Sequence, residues 1–195
     1  MTMNLVWVVS LLLATLAMVP AAAHLLELPN KIKLSGKEYL TAQRLYRGWA
    51  LAGVVVAAAM LSTLILLFML RDWPTAFALA WIAFLCIAGT QVVFWTFTYP
   101  VNRMTANWTF LPGDWSELRK RWEYSHAASA VLNLIALVAL IVCMFWTNDV
   151  RSLDIDAARR GYAGATDRPA QHWRDYERGR DYYDVDRRQP GARYI

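Results

Sequence analysis

The chain is short of the residue types on which several functions depend. Its two cysteines, Cys86 and Cys143, both fall inside apolar runs and form no Cys-x-x-Cys pair, which argues against thiol–disulfide chemistry and reads as inert buried thiols. The nine glycines form no GxGxxG or Walker loop, so nucleotide binding has no support. Histidine occurs three times in 195 residues. Charge is missing altogether from four windows, Leu5 to Ala23, Trp49 to Leu70, Thr75 to Phe97 and Ala127 to Trp146, which hold no Asp, Glu, Lys or Arg.

Those uncharged windows dominate what is present. Each is about 20 residues long, the length needed to cross a hydrocarbon core of roughly 30 Å as a helix. The 57% hydrophobic share exceeds the roughly 45–50% of a soluble domain. Runs this long without period-2 alternation are not barrel strands, and in lipid every backbone amide needs an internal partner. The expectation is therefore an all-α integral membrane four-helix bundle. Its domain covers residues 1–147, with helices over about 5–25, 48–70, 75–98 and 126–147, and a charged tail covers 148–195. The first run lacks a basic segment before it and exceeds a usual signal-peptide core, so it is expected to stay in the protein.

Four crossings place two long loops, His24 to Gly48 and Thr98 to His126, on one face, with the tight turn at Arg71-Asp72-Trp73-Pro74 and both termini on the other. Nine Lys and Arg near the membrane on the long loops outnumber five opposite, which favours a cytoplasmic long-loop face; counting the whole tail reverses that vote. The tail holds ten Arg against nine Asp and Glu. That balance reads as a solvated polyampholyte, expected to be disordered and not to bind nucleic acid.

Polar residues converge on the long-loop end of the bundle. His24 and Glu27 stand one helical turn apart, and Pro20 frees the carbonyl of Leu16 so that this turn can lean inward. His126 begins the fourth apolar run, with Ser129 and Asn133 following on its stripe, and Gln91, Trp95 and Thr98 mark the third. Such groups are costly in lipid and belong on a bundle interior or a wet cavity. Three chemistries share them. His24, Glu27 and His126 form a two-histidine, one-carboxylate set suited to a non-haem metal. His24 and His126 alone could ligate a haem from two helices. Without any cofactor, the histidines serve as acid and base on a lipophilic molecule, with Arg44, Arg47, Arg119 or Arg121 stabilising negative charge. The bland alternative keeps the histidines as helix-end groups and makes Tyr99, Trp108, Trp115, Trp122 and Tyr124 an interfacial aromatic belt. Asn107-Trp108-Thr109 matches the glycosylation sequon and is read as chance.

The series Tyr99-Pro100-Val101-Asn102-Arg103, Asn107-Trp108, Asp114-Trp115 and Leu118-Arg119-Lys120-Arg121-Trp122, leading to His126 and an apolar helix, resembles the anthrone oxygenase-like family. These are small four-helix membrane proteins, most of them known only as a domain of unknown function. The resemblance runs from about Leu5 to Trp146 and excludes the tail. It implies an oxygenase-like or redox activity on a small lipophilic or aromatic substrate, in which an anthrone's activated methylene becomes the carbonyl of an anthraquinone. It assigns Asn102, Arg119, Arg121 and His126, beside His24 and Glu27, to catalysis. Trp108 and Trp122, together with Gln91, Trp95 and Asn133 from the polar stripes, form the substrate pocket. The expected partners are the lipid bilayer of a bacterial inner (plasma) membrane, a small lipophilic ligand, and either a second copy or a partner membrane subunit. The rival class is a non-enzymatic membrane subunit or scaffold of a larger complex.

Overall fold

The computed structural model describes residues 3–186, with side chains at 154 and 157–186 left aside. It is all-helical among the described residues. In chain order the helices are α1 (Met3–Lys31), α2 (Gly36–Gln43), α3 (Ala52–Leu70), α4 (Pro74–Val93), α5 (Tyr99–Met104) and α6 (Trp115–Asp186). A π-helical turn, Phe94–Thr98, joins α4 to α5 without a break. Four stretches are long and apolar enough to cross a membrane: Met3–Lys31, Trp49–Leu70, Pro74–Met104 and Trp115–Leu153.

Only 22–33% of the apolar window in each span is buried within the protein. The rest presents Leu12, Leu16, Phe68, Val92 and Phe145 outward, an apolar surface suited to lipid. This is an integral membrane protein. Its interior is built from small side chains: Ala14 and Ala17 of α1, Ala59 of α3, Ala76, Ala80 and Ala83 of α4, and Ala136 and Ala139 of α6 share one core cluster. Because lipid tails are as apolar as leucine, spans associate by close backbone approach, which alanine permits. The Cys143 thiol donates to the carbonyl of Ala76 at 3.2 Å, so it is a packing element, buried as expected.

The helix limits differ from the sequence expectation. The first helix continues past residue 25 and through Pro29 to Lys31. The third span extends to Met104, and the fourth helix starts at Trp115, eleven residues before His126. Lipid thickness limits the apolar window and not the helix. A 29-residue helix is roughly 44 Å long, more than the roughly 30 Å hydrocarbon core, and its surplus carries the polar turns into the interface. Between Pro112 and Trp115, Asp114 accepts backbone bonds from Glu117 and Leu118 to start that early turn. The tail forms a unit of its own, residues 148–195, with helical backbone to Asp186. Its expected disorder falls largely on positions outside the described residues and side chains.

Two loops close the long-loop end. In the first, the Glu38 carboxylate accepts from both the backbone N–H and the hydroxyl of Ser35, at 2.9 and 2.6 Å, opening α2 with a capping box. Those two bonds hold the Glu38 carboxyl below its usual range. In the second, Ala106, Asn107 and Trp108 all take left-handed φ, at 46°, 55° and 57°. Three consecutive non-glycine residues there are strained. They are held by Asn107 N–H to Asn102 O (2.7 Å), Trp108 N–H to the Thr105 hydroxyl (3.1 Å) and Thr109 N–H to Thr105 O (3.0 Å). The reversal drives Trp108 inward, where it packs with Tyr39, Val101, Leu118 and Trp122 in a second core cluster. Trp108 and Trp122 are therefore buried and not part of an aromatic belt. Tyr99 and Tyr124 are exposed, as belt residues would be.

Candidate functional site

At the long-loop end the spans enclose a cavity of about 530 Å³, within the roughly 300–1,000 Å³ of ordinary ligand sites. His24, Gln91, Asn102, Trp108, Trp122, His126 and Asn133 all line it. The structure thus brings together residues from α1, α4, α5, the second loop and α6. The lower wall is apolar, with Ala17, Pro20, Ala21, Val56 and Phe94.

The two imidazoles approach closely. Their ring centroids lie 4.3 Å apart at 41°, and Trp122 packs edge-on against both, at 4.8 Å from His24 and 4.2 Å from His126. Nε2 of His126 is buried and has no hydrogen-bond partner. His24 Nδ1, by contrast, lies 3.0 Å from the Lys31 ammonium. An ammonium can only donate, so Nδ1 is an acceptor and the His24 proton sits on Nε2.

Lys31 is the centre of a buried charge cluster. Its Nζ also meets Glu123 Oε1 at 3.0 Å and forms a looser ion pair with Glu27 Oε2 at 3.5 Å. Glu123 is fully buried and accepts a second bond, from the Tyr39 hydroxyl at 2.8 Å. Glu27 is half-buried and accepts from the Tyr46 hydroxyl. Burial raises the Tyr39 phenol well above the ordinary tyrosine range, and the Glu123 charge adds to it. Burial, then the bond to Glu27, raises Tyr46 likewise. Both phenols are donors at any physiological pH.

Neither metal arrangement expected from the sequence fits this geometry. Glu27 is engaged by Tyr46 and Lys31, and the cation among His24, Glu27 and Glu123 is the lysine itself. Among the described residues no group of three or more His, Cys, Asp or Glu is placed to hold a metal ion. An iron between two axial imidazoles would hold their centroids roughly 6 Å apart, given metal–nitrogen bonds of about 2 Å. The observed 4.3 Å leaves no space for a haem plane.

Several expected site residues lie elsewhere. Arg119 donates to Leu34 O at 2.7 Å and stacks on Trp115, tying the two loops together. Arg121 donates to Thr96 O at 2.7 Å and lies over Phe97, so it closes the π-helical turn from outside. Trp95 is exposed beside Phe94 and Tyr99 and does not line the cavity. Asn102 has a structural bond as well, accepting from the Trp122 indole N–H at 2.8 Å. Sequence reasoning passed over Lys31, Tyr39, Tyr46 and Glu123. The signal was available: Lys31 stands two turns after His24 and one after Glu27, and Glu123 one turn before His126. Ending the first helix at 25 and starting the fourth at 126 left both charges in presumed loops.

No known protein family, curated protein or solved structure matches this chain.

Proposed function

We propose that this protein is an oxygenase-like membrane enzyme that takes a small, flat, lipophilic aromatic molecule from the bilayer and acts on it through its paired histidines. The observation that carries this reading is the close His24–His126 pair in the wall of the cavity. Lys31 holds His24 as an Nε2–H donor, and His126 Nε2 has no partner. In this reading His126 carries its proton on Nδ1, so that its Nε2 accepts while His24 donates.

For a substrate with an activated methylene beside a ring carbonyl, as in an anthrone, the steps follow. His126 Nε2 takes the methylene proton, and the electron pair left behind spreads onto the carbonyl oxygen. The His24 Nε2–H stabilises that oxyanion. Dioxygen, the co-substrate, adds to the carbanion and gains a proton to give a hydroperoxide. Loss of water from the hydroperoxide leaves the second carbonyl, so one oxygen atom enters the product and the other leaves as water. Gln91, Asn102 and Asn133 offer amides to the polar edge of the ring system, and Trp108 and Trp122 its faces. Helical spans, unlike barrels, suit an inner (plasma) membrane, the proposed location in a bacterium.

Oxygen uptake and anthraquinone absorbance with an anthrone substrate test the reading. His126→Ala should lower turnover by about 10²-fold or more, the usual contribution of a positioned base, while binding survives. Unchanged turnover in that variant would remove the histidine from the mechanism. Binding without turnover in the intact protein would favour the non-enzymatic subunit.

A further inference from the structure

The charged part of the cavity wall is one-sided, with arginine and no carboxylate. Beside the main cavity lies a smaller one of about 60 Å³, walled in part by Gln43, Arg44, Arg47, Asn107 and Trp108. All of these except Arg44 also line the main cavity, so the two adjoin. No Asp or Glu lines either space. Arg44 and Arg47 are exposed and take part in none of the salt bridges among the described residues.

Two buried donors face the same problem. The Trp108 indole N–H has no acceptor although the residue is 5% exposed. Gln43 is 7% exposed, and its amide nitrogen leans toward the Tyr39 phenol without completing a hydrogen bond. Buried N–H groups without partners are rare and costly. Here two of them adjoin two unpaired guanidinium groups, and the three left-handed residues 106–108 hold Trp108 in that position. No hydroxyl nearby answers them: neither N–H completes a hydrogen bond, and Thr109 and Thr90 turn their hydroxyls to Ala106 O and Ile87 O.

Cations and N–H donors without a carboxylate match an acceptor-rich anion. We propose that Arg44, Arg47, Gln43 Nε2 and Trp108 Nε1 form a subsite for the anionic head, a carboxylate or phosphate, of an amphipathic ligand whose lipophilic body fills the main cavity. This rests on the reading of the main cavity as a lipophilic site, though not on its catalysis. It narrows the ligand class from any flat aromatic to one bearing an acidic group at the end near the long loops. The bond to the indole N–H also fixes which end of the ligand lies next to Trp122 and the histidines.

The test uses the full chain in neutral detergent, titrated with 9-anthracenecarboxylate and with its uncharged methyl ester, read by quenching of tryptophan fluorescence. The acid should bind about tenfold or more tightly than the ester at pH 7. Arg44→Gln with Arg47→Gln should bring the acid to the level of the ester and leave the ester unchanged, and Arg47→Lys should restore part of the difference. Trp108→Phe removes the indole N–H along with part of the ring, so it should weaken the acid more than the ester, and an equal loss for both counts against the bond to the head. Equal affinity of acid and ester, or a loss shared by both in the arginine variants, overturns the subsite and leaves the cavity reading standing. Binding of neither probe overturns both. Competition by phosphatidylglycerol would assign the head to a bilayer lipid and resistance to it would assign the head to a small amphiphile, either one supporting the subsite.

Discussion

Replacing Lys31 by methionine should be among the most damaging single changes in the protein. The size follows from the geometry. Lys31 Nζ stands 3.0 Å from Glu123 Oε1, with side-chain exposures of 6% and 0%. At an effective dielectric constant of about 20, charges at that distance attract by about 5 kcal/mol, and removing one partner of a buried pair costs about 3–5 kcal/mol because the other charge is left without compensation. Methionine preserves most of the stem volume, so packing loss is a small part of the effect. The pair to Glu27 adds little, at 3.5 Å to a carboxylate that is 43% exposed and screened. The assay is equilibrium unfolding in mixed micelles for Lys31→Met, Glu123→Gln and the double variant. Each single change should cost about 3–5 kcal/mol, and the double variant should cost clearly less than their sum, since Glu123→Gln removes the orphaned charge. Lys31→Met should also release His24 Nδ1, letting the imidazole adopt either tautomer, which nitrogen-15 chemical shifts of the ring report. Additive losses, or a cost within about 1 kcal/mol for either single change, would refute a shared buried cluster.

Other consequences can be checked separately. Ala106→Gly should stabilise the protein by about 1 kcal/mol by relieving the left-handed φ of 46°, whereas Ala106→Val should destabilise it; thermal midpoints of the two variants measured together decide the point. In a spectrophotometric titration at 295 nm, the Tyr39 and Tyr46 phenols should stay protonated after exposed tyrosines have ionised. Because their folded pKa values are raised, the stability they contribute is complete below the unfolded pKa of about 10 and is lost as pH climbs above it. Cys143 should resist maleimide until the bundle unfolds, since it is buried against Ala76. Ready labelling in the folded state would show that the α4–α6 interface opens.

The spans were legible because their signal is redundant: four charge-free windows of membrane length leave few alternatives, and a shift of several residues at either end does not change the architecture. The same tolerance concealed part of the site. Where a helix stops being apolar was read as where it stops, so Lys31 was counted among the interfacial cations and Glu123 was passed over. In fact Pro29 lies within the last turns of α1, and the helix carries its lysine on to the stripe of His24. Helical spacing pointed to the polar end of the spans, and His24, His126, Gln91 and Asn133 from those stripes line one cavity; Asn102, which lines it too, was named by the family resemblance. The roles of the arginines were not readable. Whether Arg119 reaches a cavity or a backbone carbonyl depends on loop geometry that no periodicity encodes.

The arrangement also suggests why so many ionisable groups are gathered at this end. A histidine held as a neutral donor needs an acceptorless neighbour at Nδ1, and an ammonium supplies one only if its own charge is balanced close by. Glu123 does this from within the bundle and Glu27 from its margin, while Tyr39 and Tyr46 hold the carboxylates in place by donating to them. Exchanging Glu123 for glutamine should therefore disturb His24 without touching the cavity wall. Tyr39→Phe, which removes one bond to Glu123 and leaves the ion pair, should act in the same direction but more weakly. Removing the bond costs about 1.5–3 kcal/mol at most, as expected for a hydrogen bond to a charged group. Ring nitrogen-15 shifts of His24 in these two variants, ordered in that way, would show that the cluster sets the tautomer. If both matched the unaltered protein, the Glu123 carboxylate would have no part in setting the tautomer, which would rest on Lys31 and on packing against Trp122 and Tyr46.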